Sequence, residues 1–269
     1  MSNPYEQLVE LNISEMPWVD PPTLPPSDLP YDDGEPMESP WHVGSGPLLK
    51  AGYVTARGGK MDDFYVGVNM FVYYSWQQVR NKDFKGPDVY FVHDVDGQRR
   101  RLYWAIWDED GRYPDVIVEL LSESTEKEDL GNKKQLYEQR FRTTEYFCVA
   151  PEVERLLGWR LSNGRYVEIV PDEHGRLWSE QLQLWLGSWH GTYQYEEHTW
   201  PRFYHPDGTL VLLPEEFEAQ RAAAEAQRAA AAEERASAAE QRAEQERQRA
   251  EQLAARLRAL GINPEDTAE

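Results

Sequence analysis

Residues 114–137, PDVIVELLSESTEKEDLGNKKQLY, limit what this chain can fold into more than any other stretch. Residues 116–121 are apolar and largely β-branched, with turn-forming residues on either side, which predicts a buried strand. Asp115 and Glu119 interrupt the run. They share parity, so a strand would point both side chains to one face of the sheet. A carboxylate in a core strand costs several kcal/mol unless a cation or a metal pairs with it. Residues 122–129 are polar, and Lys133, Leu136 and Tyr137 then recur at helical spacing. A strand carboxylate and a helix lysine thus fall in neighbouring elements, close enough to converge.

The 269 residues suffice for one sizeable domain and an appendage. The net charge of −20 disfavours binding to a free polyanion unless basic residues gather in one place. One cysteine, Cys148, cannot form an internal disulfide, which fits a reducing cytoplasm. The N-terminus has no basic start followed by an apolar run, and no stretch approaches the roughly 20 apolar residues that span a bilayer. The expectation is a soluble cytoplasmic protein with no membrane association.

Ten of the 18 prolines fall within residues 1–47. Each removes a backbone donor and biases its predecessor to extended geometry. This segment reads as an irregular arm, either lying over the domain through Trp18 and Tyr31 or disordered. Residues 64–74 predict a strand with Gly67 as a bulge or close-approach point. Residues 77–83 form a polar connection. After the Gly86-Pro87 break, residues 88–95 predict a strand opened by Asp88. Residues 101–107 predict another, and residues 145–150 a fifth beyond the helix. Residues 156–161 and 166–170 flank Asn163-Gly164 and read as a hairpin. Residues 182–189 and 200–213, the latter with a turn at Asp207-Gly208, complete an aromatic β region.

At Pro214 the composition changes to Ala, Glu, Gln and Arg as far as Leu260, where Gly261 and Pro264 supply a stop. Arg recurs every seven residues from Arg221 to Arg256. The heptad seam beside it is mostly alanine, with leucine only at Leu253, Leu257 and Leu260. Such a seam buries little, so the tail is either a weak coiled coil or a solvated single helix held by Glu–Arg pairs. The chain divides into an arm (1–47), a domain (48–213) and a helical tail (214–269).

Asp88 and Glu119 on adjacent strands would repel unless a divalent cation sat between them. Mg²⁺ or Mn²⁺ suits such oxygen ligands and keeps several waters. An ammonium such as Lys133 nearby could orient or help deprotonate one of those waters as a phosphodiester is attacked. The six histidines are scattered without metal-ligand spacing and read as surface or packing residues. Neither a glycine-rich phosphate loop nor a nucleophile elbow occurs.

Several motifs in order carry a resemblance. Gly86-Pro87-Asp88 opens a strand. Pro114-Asp115 leads to Glu119 and on through Ser122, Ser124 and Thr125. Asp129-Leu-Gly-Asn-Lys133-Lys-Gln-Leu-Tyr137 and Glu145-Tyr146-Phe147 follow. Together they resemble the Uma-two family of restriction-endonuclease-like proteins, in the PD-(D/E)XK nuclease superfamily. Asp33-Gly-Glu-Pro-Met-Glu-Ser and the heptad tail are also similar to its bacterial members. The resemblance covers most of residues 31–213.

It implies an α/β fold: a restriction-endonuclease-like core with a mixed central sheet flanked by helices, followed by the helical tail. It implies Asp88 and Glu119 as metal ligands, with Mg²⁺ or Mn²⁺ as cofactor. The superfamily lysine two residues after the glutamate is replaced here by Leu121. The family's lysine looks to have moved to the next helix, which nominates Lys133 over Lys134. Tyr137 is then packing or a neighbour of the site, and Asp115 either orients a water or caps its strand. One departure stands out. Residues 42–52 replace the family's amphipathic helix, and their glycines and Pro47 argue against a long helix. The function implied is endonucleolytic hydrolysis of DNA, with Arg99, Arg100, Arg101, Lys127, Lys133 and Lys134 needed on one side as a channel. The alternative is a non-catalytic protein of the same fold, assembling as a homo-oligomer through its domain or its tail. The tail's 8 Arg against 13 acidic residues leaves −15 of the net charge on the remainder.

Overall fold

The computed structural model describes residues 39–75, 77–78 and 86–260. The expectations for the arm with Trp18 and Tyr31, for residues 33–38 and 79–83, and for the stop at Gly261 and Pro264 lie outside them.

The first element is a helix where the sequence argued against one: α1, Pro40–Ala56, is 17 residues long. Ser39 caps it, accepting from the His42 N–H, and Pro40 sits in the first turn, where a missing donor is harmless. Pro47 lies on the exposed side of the helix together with Val43, whose carbonyl it cannot bond. The glycines serve close packing. A Cβ on Gly44 would stand 2.7 Å from the Trp200 ring, and one on Gly46 would stand 2.6 Å from Val68 Cγ1. Intrinsic propensity is therefore overridden by tertiary packing. This helix spans the boundary that the prolines suggested at residue 48.

After α1 come β1 (Phe64–Val68) and β2 (Val72–Tyr73), separated by Asn69 at φ 44°, where a single strand was expected. Next are β3 (Val89–His93), β4 (Trp104–Ala105) and β5 (Val116–Leu120). Of the strand expected over residues 101–107, only β4 forms, parallel to β2. Arg101 instead turns inward, its guanidinium bidentate on Glu109 and packed over the Tyr65 and Trp104 rings. A sheet ladder cannot hold that side chain in the same place.

Helix α2 (residues 126–141) alternates α-helical turns with π-helical turns at Asp129–Lys133 and Tyr137–Phe141. Then follow β6 (Glu145–Val149), β7 (Leu156–Ser162) and β8 (Arg165–Glu168). Asn163 and Gly164, both at positive φ, make the tight turn of the expected hairpin. The aromatic region forms β9 (Leu177–Ser179), β10 (Leu184–Tyr193) and β11 (Glu196–Tyr204). Past β11 the chain does not extend as a strand to residue 213; one isolated bridge joins Tyr204 to Leu210 around the Asp207-Gly208 turn.

The strands form a six-stranded mixed sheet in the order β1-β3-β5-β6-β7-β8 and a three-stranded sheet in the order β11-β10-β9. Only the β5–β6 pair of the larger sheet is parallel, and α2 is its crossover. Strand alternation divides the core. Val89, Phe91, Val116, Val118 and Phe147 pack with α1 and the smaller sheet on one face. Tyr90, Ile117, Tyr146 and Cys148 pack with Tyr137 and Phe141 of α2 on the other.

The tail is one helix, α3 (Pro214–Ala259), with no buried residue along its 46 positions. Leu253 is exposed, as is Leu260 just beyond its end. Pairs such as Arg221 with Glu225 run along its surface. Its first turn is anchored: Arg202, 2% exposed, holds Glu216 through both guanidinium nitrogens at 2.9 and 2.7 Å. No helix among the described residues is long and apolar enough to cross a membrane.

Candidate active site

The β3–β5 register pairs Val89 with Val118, so the next position outward sets Asp88 against Glu119. Residues opposite one another on antiparallel strands have Cβ atoms about 5 Å apart. Here the two residues are latched reciprocally. The Asp88 N–H donates to Glu119 Oε2 at 3.1 Å, and the Leu120 N–H donates to Asp88 Oδ2 at 2.7 Å. By strand parity both carboxyls lie on the face covered by α2.

From that helix, Lys133 Nζ reaches to 3.2 Å from Glu119 Oε1, and the Tyr137 hydroxyl donates to the same oxygen at 2.9 Å. The residues nominated from sequence, Asp88, Glu119 and Lys133, therefore meet at one place, drawn from three elements. Lys134 points elsewhere, its ammonium 3.5 Å from the centroid of the Trp159 ring. Asp115 is not part of the constellation. It accepts from the His93 N–H at 2.8 Å at the other end of β5, about 13 Å away at 3.3 Å per residue, and so caps the strand. Cys148, paired with Glu119 in register, is buried with its thiol pushed up by burial, and serves packing.

Asp129 was not singled out from sequence, yet its Oδ1 is 2.8 Å from Lys133 Nζ and it is almost fully buried. The available signal was its spacing four residues before Lys133 on a helix. Of the basic residues expected to line a channel, Arg99 and Arg101 engage Glu109, Lys133 sits among the carboxylates and Lys134 packs on Trp159.

Electrostatically the site is overloaded with negative charge. Burial, opposed by Lys133 but reinforced by Asp88 and Asp129, pushes the Glu119 carboxyl up to about 8. Burial likewise raises Asp88, only partly offset by Lys133 and the Leu120 N–H. Burial opposes the Lys133 charge too, but Glu119, Asp129 and Asp88 outweigh it and hold the ammonium above its usual range. Burial and the Glu119 carboxylate keep Tyr137 a neutral phenol.

Three acids against one ammonium leave a deficit of two positive charges when all are ionised. That deficit, with hard oxygen donors from two adjacent strands, fits a divalent cation between Asp88 and Glu119. Among the described residues no three His, Cys, Asp or Glu side chains are arranged to hold a metal. A cation here would use two protein carboxylates and complete its shell with water.

The family model Uma2, described as "Putative restriction endonuclease", matches residues 48–192, which include every residue of this constellation. No curated protein matches the chain. Among solved structures, a crystal structure described as a "putative nuclease belonging to DUF820" from Anabaena variabilis aligns with a TM-score of 0.37. It is 12% identical over 53% of this chain and 79% of that one, a likeness too low to argue from.

Proposed function

The chain belongs to the Uma2 family, and from that premise we propose that it is a metal-dependent endonuclease hydrolysing DNA phosphodiester bonds at Asp88, Glu119 and Lys133. The observation that carries this reading is the meeting of Lys133 Nζ with Glu119 Oε1 at 3.2 Å, beside an Asp88 latched to the same strand end. A lysine two residues after the glutamate would have sat just past the end of β5; Leu121 is there, and α2 supplies the ammonium instead.

Asp88 and Glu119 would hold Mg²⁺ or Mn²⁺, which when bound supplies Lewis-acid charge stabilisation and a water acidic enough to attack near neutral pH. Tyr137 fixes the Glu119 carboxylate by donating to Oε1, so the oxygen keeps its orientation. Lys133, held as an ammonium, is a donor. It would stabilise negative charge on a phosphoryl oxygen. Glu109 pairs with Arg99 and Arg101, and the Asp108 carbonyl accepts from Arg99, so two of the arginines a DNA channel would use already have partners. That observation favours the second reading, a non-catalytic member of the fold that assembles through its tail.

Cleavage of plasmid and single-stranded DNA with Mg²⁺ or Mn²⁺ separates the two. Wild type should cleave, Asp88→Ala should not, and Lys133→Met should lose about two to four orders of magnitude in rate. Lys134→Met should stay close to wild type. Equal activity in wild type and Lys133→Met would remove Lys133 from the mechanism. A wild type that binds Mn²⁺ in calorimetry but cleaves nothing would favour the assembly reading.

A further inference from the structure

Lys133 reaches two carboxylates, and the nearer is not the strand glutamate. Its Nζ is 2.8 Å from Asp129 and 3.2 Å from Glu119. Asp129 is 1% exposed, and Lys133 is the one cation paired with it among the described residues. Its backbone is fixed on both sides: the Asp129 N–H donates to the Thr125 carbonyl at 2.9 Å, and its own carbonyl accepts the Tyr146 hydroxyl at 2.8 Å. Burying a second acid beneath the sheet is unfavourable unless it is paired, and packing alone does not call for it. Glu119, for its part, is held by Tyr137 and the Asp88 N–H whether or not Lys133 is present. The two partners of the lysine are thus anchored independently of each other.

We propose that Asp129 is the positioning residue for Lys133, keeping its ammonium at the site when Glu119 is engaged by another partner. A lysine has four rotatable carbons and a strong preference for water. Tied to Glu119 alone, it would be released at the moment a cation claimed that carboxylate. With Asp129 one turn earlier on the same helix, it stays. The catalytic half of this inference rests on the nuclease reading, while the positional half does not.

The test reads Lys133 directly, by reductive methylation of the full chain quantified residue by residue with mass spectrometry. Lys133 should remain protected in wild type and in Glu119→Gln. In Glu119→Gln/Asp129→Asn its modification should rise about tenfold, because the ammonium has then lost both of its ion-pair partners. Lys134 should not change in any variant, which excludes general unfolding as the cause, and Asp129→Glu should restore protection. Equal exposure of Lys133 in Glu119→Gln and in the double variant would overturn the proposal.

Where cleavage is measurable, Asp129→Asn should lower kcat about 100-fold while KM and Mn²⁺ affinity hold, the usual loss for a misplaced catalytic group. In a Lys133→Met background it should do nothing further, because it acts only through the lysine. An additional loss there would mean that Asp129 works on its own and would sink the proposal. An inert wild type with the protection pattern intact would count against the nuclease reading and in favour of the positioning role.

Discussion

Glu119 and Glu145 are both fully buried glutamates on the paired strands β5 and β6, and they live in opposite circumstances. Glu145 faces the smaller sheet and is saturated. It accepts from the Ser179 hydroxyl, from the Glu180 and Gln181 N–H groups at 2.9 and 3.3 Å, and from Arg160 Nε at 2.9 Å. The same guanidinium also pairs with the exposed Glu180 at 2.8 Å, so Glu145 is the one buried acid it serves, and the result ties β9 to the main sheet. Glu119 faces α2 and shares a single ammonium with two other acids. Equal burial therefore says nothing about role. The balance of donors and cations around the carboxylate does: Glu145 is complete, and Glu119 has room for more positive charge.

Removing the complete glutamate should hurt most. Glu145→Ala removes the acceptor of a buried hydroxyl and two N–H groups and leaves Arg160 only Glu180 and the Trp178 carbonyl, and should lower stability by about 3 kcal/mol in urea denaturation. A loss below about 1 kcal/mol would erase the contrast.

The anchor at the root of α3 is a second complete pair, and it predicts a difference between truncations. Ending the chain after Leu213 removes Glu216 and leaves Arg202 buried without its carboxylate, an expected loss of about 3 kcal/mol. Ending it after Arg221 keeps the pair and should leave the thermal midpoint of the domain nearly unchanged. If both truncations behave alike, the pair contributes nothing, and the tail is as dispensable as its alanine seam suggests.

Titration tests the incomplete side. Because Glu119 is pushed from its usual 4.5 up to about 8, the folded protein holds a proton that the unfolded chain releases between those values. Stability should then fall as pH rises from about 4.5 to 8 and level off above, with a slope of at most about 1.4 kcal/mol per pH unit for one proton. Millimolar Mn²⁺ should flatten or invert that slope by binding the ionised form. A metal-free stability that climbs over this window would show that Glu119 is ionised and satisfied after all.

The smallest effect is expected from Glu119→Gln near pH 4.5, where the amide replaces a carboxyl that already carries its proton in the folded chain. Metal-free stability there should change by no more than about 1 kcal/mol, and the fall towards pH 8 should be lost. The Mn²⁺-induced rise in Tm should disappear. A variant as damaged as Glu145→Ala would place the two glutamates in the same class.

What the sequence revealed follows this division. Asp88, Glu119 and Lys133 were legible because strand parity and helix spacing are local properties, and ordered motifs supported them. Asp129 sat in the same quoted segment but looked like one more polar residue of a helix entrance. The helix α1 was hidden for a different reason. Gly44 and Gly46 weaken a helix in isolation, and what they gain, contact with Trp200 and Val68, comes from elements that are distant in the chain or separated by a turn. Arg101 was assigned to a strand because its partner Glu109 lies in a loop, where no periodicity marks it. The tail's helix could be read from composition alone, since nothing beyond its own residues is needed to form it.

The clamp between Arg202 and Glu216 has one mechanical consequence. At 1.5 Å per residue the 46 residues of α3 make a rod about 69 Å long, hinged at its root. Ten degrees of angular play at that hinge displaces the far tip by about 12 Å. The ion pair, with the Leu213 and Phe217 backbone bonds beside it, thus limits the volume open to Leu253 and Leu260, and with it the local concentration at which those leucines meet anything else.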